Sequence, residues 1–312
     1  MGAMVRLVLP LLLTACAHAA RPPVIDVHLH LSPHDEQLTG RIPNPITGAP
    51  LLATDEASLR AGLTRALDEA GVVRAVVSGE PDAIARWKAA APGRIIAACA
   101  PEDWAQIDLA ALRRAHAAQL CDVLAEVQPQ YDGLAPDDPR LEPLWALAEE
   151  LDLPVGFHLH PGPPDGVAKG MDKLRLRHGN PLLLEDVLTR HRKLRLYVMH
   201  AGWPFLEEMI ALLYAYERVS VDIGVIDWTQ APGLIDPERR GEPPREFYTY
   251  LKRLVDAGFG KRILFGSDAM VWPEAVPLAV KNVLAADFLT DAQKRDILHD
   301  NAMRFLRLPP LP

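Results

Sequence analysis

The sequence predicts an α/β fold, specifically a (β/α)8 TIM barrel, and three observations predict it. After residue 23, short apolar runs alternate with segments of helical periodicity to the end of the chain. The apolar runs number eight, as a barrel of this type requires. Several of them stop at a His or an Asp, and residues so far apart in sequence meet only if the sheet closes.

The predicted strands share an apolar, largely β-branched composition. They are Val24–His28, Val72–Ser78, Arg94–Ala100, Asp122–Val127, Pro154–His158, Leu194–His200, Val219–Asp222 and Arg262–Asp268. Continuous apolar strands separated by helices indicate a parallel sheet that is buried on both faces. The alternative, a doubly wound open sheet, would show a glycine-rich first turn, and the sequence has none.

The segments between the strands have the spacing of helices that bury one face. Apolar residues keep this spacing at Leu59, Leu63, Ala66, Leu67 and Ala70, and again at Leu144, Leu147, Ala148 and Leu151. A final helical segment, Leu289–Leu306, is expected to cover the outside or the base of the barrel.

Three loops that follow predicted strands are long, and they span residues 31–56, 161–181 and 224–243. Long loops at the carboxyl ends of barrel strands commonly form the substrate pocket, which is the role we expect here. The alternative is surface elaboration without a role in binding.

Composition excludes several classes of protein. The 312 residues allow one large barrel or two ordinary domains, and no linker or internal repeat divides them. A net charge of −8 argues against a nucleic-acid partner, which selects for a basic face. No apolar run is long enough to cross a bilayer as a mature helix. We therefore expect one domain, residues 21–312, that acts on a small molecule. The sequence predicts no oligomeric state.

Residues 1–20 have the features of a signal peptide, with Arg6 followed by an apolar stretch and then small residues. Two cleavage sites compete. The run Leu13–Cys16 resembles a bacterial lipobox, in which a lipidated Cys16 would anchor the protein to a membrane. The run Ala17–Ala19 fits ordinary cleavage after an A-x-A motif. Either reading predicts export, to the periplasm or to its membrane surface.

The other two cysteines, Cys99 and Cys121, lie in apolar, strand-like contexts. They are either two small buried side chains or a disulfide that forms in an oxidising compartment.

Five residues at the ends of predicted strands are candidate metal ligands. His28 and His30 lie two apart on one strand and so project to the same face. His158, His200 and Asp268 end three other strands. Imidazole and carboxylate groups are common ligands of zinc, so their convergence at one barrel mouth predicts a metal site.

Three further residues extend this site. His160 shares a face with His158, and it is an alternative ligand, a residue that supports a ligand, a substrate contact or a solvent-exposed residue. Glu126 ends the fourth strand and either bridges two ions or, at a one-ion site, binds substrate or holds a basic neighbour. Asp26 precedes His28 by two residues, and we expect it to orient a ligand by accepting an imidazole N–H.

The chain resembles the amidohydrolase superfamily over nearly all of residues 24–308, and specifically its amidohydrolase 2 branch. The segments that carry the resemblance are Asp26–His30, Asn180–Leu188, Met199–Gly202, Phe265–Asp268 and Asn301–Leu306. The resemblance implies a distorted TIM barrel that binds one or two divalent ions, usually zinc. It also implies metal ligation by His28, His30, His158 and Asp268, with His200 as a ligand or an active-site group.

The sequence departs from this family at two positions. His160 stands where relatives often have a small residue, and Glu126 stands where some two-metal members have a carboxylated lysine.

The chemistry expected of such a site is hydrolysis by a metal-activated water. Asp268 is the candidate base that accepts the water proton and returns it to the leaving group, and His200 helps to polarise the carbonyl if only one ion is present. A basic loop, with Lys169, Lys173, Arg175, Arg177 and His178, is expected to pair with a substrate carboxylate unless it is only a solvated surface. Trp203 and Trp272 either wall the pocket or pack between helices.

Three functions are compatible with these observations. The first is a metal-dependent hydrolase of an amide, ester or lactone. The second is a decarboxylase of an aromatic or unsaturated acid on the same scaffold. The third is an exported metal-binding or solute-binding protein without turnover, which would have no need of a base such as Asp268.

Overall fold

A computed structural model describes residues 22–32, 44, 46–49, 55–162, 165–229 and 244–310. All eight predicted strands are present in these residues, and they form a single parallel sheet in chain order. The strands are β1 Val24–Leu31, β2 Val72–Gly79, β3 Ile95–Cys99, β4 Val123–Val127, β5 Val155–His158, β6 Leu196–Met199, β7 Val219–Asp222 and β8 Ile263–Leu264. The predicted signal peptide, with Cys16, lies outside the described residues, as does much of the loops after β1 and β7.

The sheet closes into a nearly complete barrel. Each strand from β1 to β7 pairs in parallel with the next. The last gap is bridged by two backbone hydrogen bonds, from Val27 N to Phe265 O at 2.9 Å and from Asp268 N to His28 O at 2.7 Å. This sequential order differs from that of a doubly wound sheet, whose strands run outward from a central switch point. The predicted barrel is confirmed.

The eighth strand is shorter than the predicted Arg262–Asp268. The chain beyond Leu264 approaches β1 so closely that a Cβ at Gly266 would lie 2.7 Å from the Cβ of His28. Asp268 then adopts a left-handed backbone conformation, with φ of 45°. The regular ladder ends at Leu264, although the backbone beyond it still bonds to β1.

The helices fill the connections and pack on the outside of the sheet. They are α1 Glu56–Ala70, α2 Pro81–Ala90, α3 Leu109–Ala117, α4 Glu142–Glu150, α5 Glu185–Arg190, α6 Leu206–Ala215, α7 Ile226–Thr229, α8 Arg245–Asp256, α9 Ala275–Ala285, α10 Asp291–Arg295 and α11 Asn301–Phe305. The five apolar residues predicted to share a face of α1 are all buried, as are Leu144, Leu147 and Ala148 of α4. Leu151 caps the end of α4 and is half-buried.

Two layers of apolar side chains form the core. One layer fills the barrel interior and consists of Ile25, Val27, Val76, Ala98, Val123, Ala125, Tyr197, Met199, Leu264 and Ala302. The other lies between the strands and the surrounding helices, where Leu63, Phe157 and Phe247 are fully buried. Because both faces of the sheet are buried, the strand sequences are continuous apolar runs.

The base of the barrel is covered by the C-terminal segment, as predicted for Leu289–Leu306. A π-helical turn, Asp296–Asp300, joins α10 to α11 and contacts β1 and β8. The side-chain amide of Asn301 donates to the carbonyl oxygens of Gly260 and Ile263, at 2.8 and 2.7 Å. These bonds tie the last helix to the barrel.

Cys99 and Cys121 form a disulfide between the end of β3 and the segment before β4, with their Cα atoms 5.1 Å apart. Of the two alternatives left by the sequence, the structure therefore shows the disulfide. Among the described residues, no helix combines the length and apolar character needed to span a bilayer.

Candidate metal centre

Four histidines and two carboxylates meet at the carboxyl ends of the strands. His28 and His30 come from β1, Glu126 from β4, His158 from the end of β5, and His200 directly follows β6. The remaining carboxylate, Asp268, follows β8. Because all strands of a parallel barrel end at the same mouth, their final residues converge there.

The first group of donors surrounds His28. Its Nε2 lies 3.2 Å from Nε2 of His30, so both histidines of the H-x-H motif face one point, as predicted. Asp268 Oδ1 lies 3.0 Å from His30 Nε2 and 3.6 Å from His28 Nε2. Donor atoms of these three residues all lie within 4.8 Å of one another, and those of His28, Glu126 and His200 form a second such group.

Glu126 faces the histidines in two pairs. Its Oε2 lies 3.4 Å from His30 Nε2 and 3.8 Å from His28 Nε2. Its Oε1 lies 3.5 Å from Nε2 of both His158 and His200. A carboxylate whose two oxygens face different ligand pairs has the arrangement that a bridge between two ions needs.

Three of the histidines are held by contacts at Nδ1, which leaves Nε2 directed to the centre. The Nδ1 atom of His28 lies 3.2 Å from Asp222 Oδ2, and that of His200 lies 3.0 Å from the Gly224 carbonyl oxygen. His30 Nδ1 lies 2.8 Å from the Ser78 hydroxyl. A bonded Nδ1–H fixes the tautomer and the ring orientation of a metal-binding histidine.

Asp222 is a residue of this site that the sequence analysis missed. It is fully buried at the end of β7, and its Oδ1 accepts hydrogen bonds from the backbone N–H groups of His200 and Gly224, at 3.1 and 2.8 Å. A Cβ at Gly224 would lie 3.0 Å from His28 Nδ1, so a glycine suits the close approach. The signal was present in the sequence, because Val219–Asp222 is another apolar run that stops at an acid.

Asp26 does not make the contact predicted for it. Its carboxylate accepts from the backbone N–H of His28 and from the N–H and hydroxyl of Ser267, at 3.0, 2.9 and 2.6 Å. The prediction that it accepts an imidazole N–H is wrong, since Asp222 fills that role. The physical reason is a register shift in β1 between Asp26 and Leu29, which interrupts the strand alternation on which the prediction relied.

The electrostatics of the cluster favour ionised carboxylates beside the histidines. Burial opposes ionisation, but the surrounding imidazoles hold the pKa of Glu126 well below its ordinary value. His28 and His30 lower the pKa of Asp268 in the same way against the effect of burial. Burial also lowers the pKa of His28, but Asp268 and Asp222 outweigh it and raise that pKa. At His158, burial dominates and lowers the pKa to about 3.

The donor set fits a divalent ion. His200 Nε2 and Asp268 Oδ1 are buried and make no hydrogen bond of good geometry, which is costly unless another group satisfies them. Both residues also have left-handed backbones, with φ of 56° at His200 and 45° at Asp268. Such strain is concentrated at functional sites. Imidazole nitrogens with carboxylate oxygens form the ligand type that zinc takes in catalytic sites.

Aromatic residues flank the centre beside His158. His160 stacks on Trp203, with ring centroids 5.4 Å apart, and its ring lies 5.1 Å from that of His200. Burial, and then the neighbouring His200, lower the pKa of His160 well below its ordinary value. Tyr131 places its hydroxyl 3.4 Å from His158 Nε2. Nothing in the sequence pointed to Tyr131, because it lies in a short 3-10 helix after β4.

The other predicted substrate contacts lie elsewhere. Arg175 and Arg177 are exposed, and Arg175 donates to the carbonyl oxygens of Asp172 and Leu174 in its own loop. Trp272 is only 3% exposed and belongs to the core between strands and helices. Among the described residues, no ion pair joins either arginine to the metal centre. Their roles in substrate binding stay predictions.

Comparisons with known proteins agree with this fold. The amidohydrolase family model called amidohydrolase 2 matches residues 25–308. A search of curated proteins finds no significant match. Among solved structures, an amidohydrolase from Burkholderia multivorans with bound zinc is 19% identical, with a TM-score of 0.60, and the match covers 92% of this chain and 100% of that one.

Two other solved structures illustrate the range of activities on this fold. A 2,6-dihydroxybenzoate decarboxylase from Rhizobium is 17% identical, with a TM-score of 0.62 and coverage of 92% and 99%. A probable 2-pyrone-4,6-dicarboxylic acid hydrolase from Acinetobacter baumannii is 15% identical, with a TM-score of 0.59 and coverage of 91% and 99%. At these identities the likeness shows the fold, whereas the family model spans most of the chain. The chain therefore belongs to the amidohydrolase 2 family of the amidohydrolase superfamily.

Proposed function

We propose that this protein is a divalent-metal-dependent hydrolase that uses an activated water on an amide, ester or lactone of a small, carboxylate-bearing substrate. The observation that carries the proposal is the convergence of four imidazoles and two ionised carboxylates at the barrel mouth. Within that cluster, the buried Asp268 Oδ1 lies 3.0 Å from His30 Nε2 and makes no hydrogen bond of good geometry.

The donors divide into two sets around Glu126. His28, His30 and Asp268 would hold one ion, and His158 with His200 would hold a second, with Glu126 between them. Zinc is the ion that this mixture of nitrogen and oxygen donors favours. When bound, it supplies a lowered pKa for a coordinated water and polarisation of a substrate carbonyl.

The residues of the chain move the proton. Asp268 is ionised, because His28 and His30 offset its burial, and it accepts the proton of the attacking water. The same carboxyl group then returns that proton to the leaving group. His200 commits its Nδ1 to the Gly224 carbonyl oxygen and therefore directs Nε2 towards the centre, where it would bind an ion. This supports His200 as a ligand.

Metal content tests the two-ion arrangement. Elemental mass spectrometry of the purified protein should find two zinc equivalents per chain, falling to one or fewer in Glu126→Ala. The matched control is Glu150→Ala, because Glu150 is an exposed carboxylate paired with Arg113 on the outside of the barrel. One equivalent in all three proteins would make Glu126 a non-ligand. An absence of tightly held metal after zinc is supplied would overturn the proposal.

Product analysis tests the reaction itself. The zinc-loaded protein is incubated with a panel of lactones, esters and amides, and separately with aromatic and unsaturated acids. Hydrolysis that requires zinc is the expected result. Carbon dioxide release from the acids, without hydrolysis of the first panel, would instead make the protein a decarboxylase, an activity known in a solved structure of this fold.

A further inference from the structure

His160 lies at the carboxyl end of β5, and the geometry around its ring determines what it can bind. Its Nδ1 accepts a hydrogen bond from the Gly162 backbone N–H at 3.2 Å. A ring nitrogen that accepts carries no proton, so the imidazole is neutral and its proton is on Nε2. The ring therefore presents an N–H donor on the side turned away from the loop backbone.

The position of this donor is fixed by three neighbours. Trp203 stacks on the imidazole at an angle of 28° between the rings. The Trp203 indole N–H donates to Glu246 Oε1 of α8 at 3.3 Å, which holds the indole in turn. The side-chain amide of Gln130 donates to the carbonyl oxygen of His160. Because the ring and backbone are both held, the Nε2–H direction is set before any ligand arrives.

The donor itself has no protein partner. Within the described part of the chain, the His160 ring is hydrogen-bonded through Nδ1 and no group bonds to Nε2. The ring lies 5.1 Å from that of His200 and 6.2 Å from that of His158, between them and the half-buried Trp203. A fixed donor without a partner at the edge of the metal centre is available to a ligand.

We propose that His160 binds the substrate by donating its Nε2–H to an oxygen next to the reacting carbonyl. The proposal rests on the proposed hydrolase function and names a preference within it. A fixed N–H donor selects for an acceptor oxygen, such as that of a carboxylate, ester or lactone, and disfavours an ammonium or amide N–H in the same place. Trp203 is then a positioning residue, because its ring face is covered by His160 and supports the imidazole.

The tautomer makes this proposal measurable. In the candidate ligands His28 and His200, Nδ1 is a donor, and it faces Asp222 and the Gly224 carbonyl oxygen respectively. His160 has the opposite placement, with its proton on Nε2. Long-range proton–nitrogen NMR correlations of histidine-labelled protein distinguish the two tautomers.

The NMR experiment uses the zinc-loaded full chain at pH 7, with His160→Gln to assign the His160 signals. We expect His160 to be protonated on Nε2 and its Nε2 proton to shift when sodium acetate is added as a carboxylate probe. An Nδ1-protonated or doubly protonated His160 would overturn the proposal. So would acetate binding that perturbs the ligand histidines and leaves the His160 signals unchanged.

Kinetics supply an independent readout. With an ester probe such as p-nitrophenyl acetate, His160→Leu should lower kcat/KM about ten-fold, mainly through KM, since it removes one neutral hydrogen bond. His160→Gln keeps an N–H donor near the Nε2 position and should stay within about three-fold of the parent. A matched control is His299→Gln, which alters a buried histidine of the π-helical turn at the base.

Zinc content separates the outcomes. All variants should bind as much zinc as the parent, and loss of zinc from His160→Leu would overturn the proposal by making His160 a ligand. Unchanged kcat/KM in His160→Leu would also overturn it. If the parent hydrolyses no probe, the hydrolase function fails, whereas the tautomer measurement still tests His160.

Discussion

The mouth and the base of this barrel are made by the same strands, but their polar groups are treated in opposite ways. At the base, Asn301 donates to two backbone carbonyl oxygens, and the buried Arg74 donates to the Pro309 carbonyl oxygen at 2.7 Å. At the mouth, His200 Nε2 and Asp268 Oδ1 are buried and make no hydrogen bond of good geometry, although Asp268 Oδ1 lies 3.0 Å from His30 Nε2. These groups at the base are bonded within the chain, whereas the two atoms at the mouth remain available to bind an ion.

The difference shows how the fold separates stability from function. Unsatisfied buried groups and left-handed backbone at the mouth cost free energy, and well-packed regions elsewhere must offset that cost. The base provides such packing through Tyr197, whose hydroxyl donates to the Val27 carbonyl oxygen at 3.1 Å and whose ring meets Phe305 edge-on. Changes at the mouth should therefore affect chemistry first, and changes at the base should affect stability first.

Among changes at the mouth, Asp268→Asn should cause the largest loss of turnover. The substitution keeps the shape of the side chain but removes the proton acceptor, so turnover should fall by roughly 10²–10⁴-fold. The measurement is kcat on a hydrolysed substrate from the panel, with zinc content determined on the same sample. Normal turnover with zinc still bound would show that another group is the base.

Leu298→Ala should destabilise the protein through its packing at the base. Leu298 is fully buried in the π-helical turn, so its truncation should lower the free energy of unfolding by about 2–5 kcal/mol. Urea denaturation measures the loss of unfolding free energy. Zinc content and kcat show whether the substitution at the base also affects the metal centre at the mouth. If the folded variant lost zinc or activity in proportion to stability, the two ends would not be separable.

Asp222→Asn tests whether the contact of Asp222 with His28 contributes to zinc binding at the mouth. The amide can still accept from the backbone through Oδ1, but an amide N–H in place of Oδ2 would face His28 Nδ1 and oppose its protonation there. Zinc affinity should fall roughly 10–100-fold, as is typical when a partner of a metal-binding histidine is removed. A competition titration with a chelator measures it.

The control for that titration is Asp256→Asn. Asp256 pairs with Lys252 on the exposed face of α8, so its change should leave zinc affinity unaltered. Equal losses in both variants would show that the effect is one of net charge and not of the contact with His28.

The sequence predicted the barrel well because its signal is local. Each strand is a short apolar run, and residues of α1 such as Leu63 and Leu67 are buried at the predicted helical spacing. The residues brought together at the mouth were predictable for the same reason, since His158 and His200 stand where apolar runs stop. Nothing in this argument required the contacts between strands to be known.

The misses are those that depend on contacts distant in sequence. Asp26 was assigned from strand alternation, which a register shift in β1 interrupts. Asp222 was overlooked although its run matched the pattern, because its partner His28 lies 194 residues away. The stack of His160 on Trp203 likewise depends on how two loops meet, and no periodicity encodes it.

A cluster on the outer wall tests whether electrostatics away from both ends matter at all. His191 lies between Glu142 and Glu149, 3.0 and 3.3 Å from their oxygens. Burial opposes ionisation of Glu142, but Arg190 and His191 hold its pKa below the ordinary value. The backbone N–H of Lys193, and then His191, lower the pKa of Glu149. Groups with a depressed folded pKa stabilise the protein above the unfolded value of 4.5, and this stabilisation is lost as the pH falls through the folded values.

His191→Gln should therefore make the free energy of unfolding depend less on pH in the acidic range. Both carboxylates are partly solvated, so screening limits the difference to less than about 1 kcal/mol, the smallest effect expected here. Urea midpoints of the metal-free parent and variant, measured from pH 6 down to pH 3, should converge as the carboxylates become protonated. Profiles that stay parallel throughout would mean that His191 contributes by packing alone.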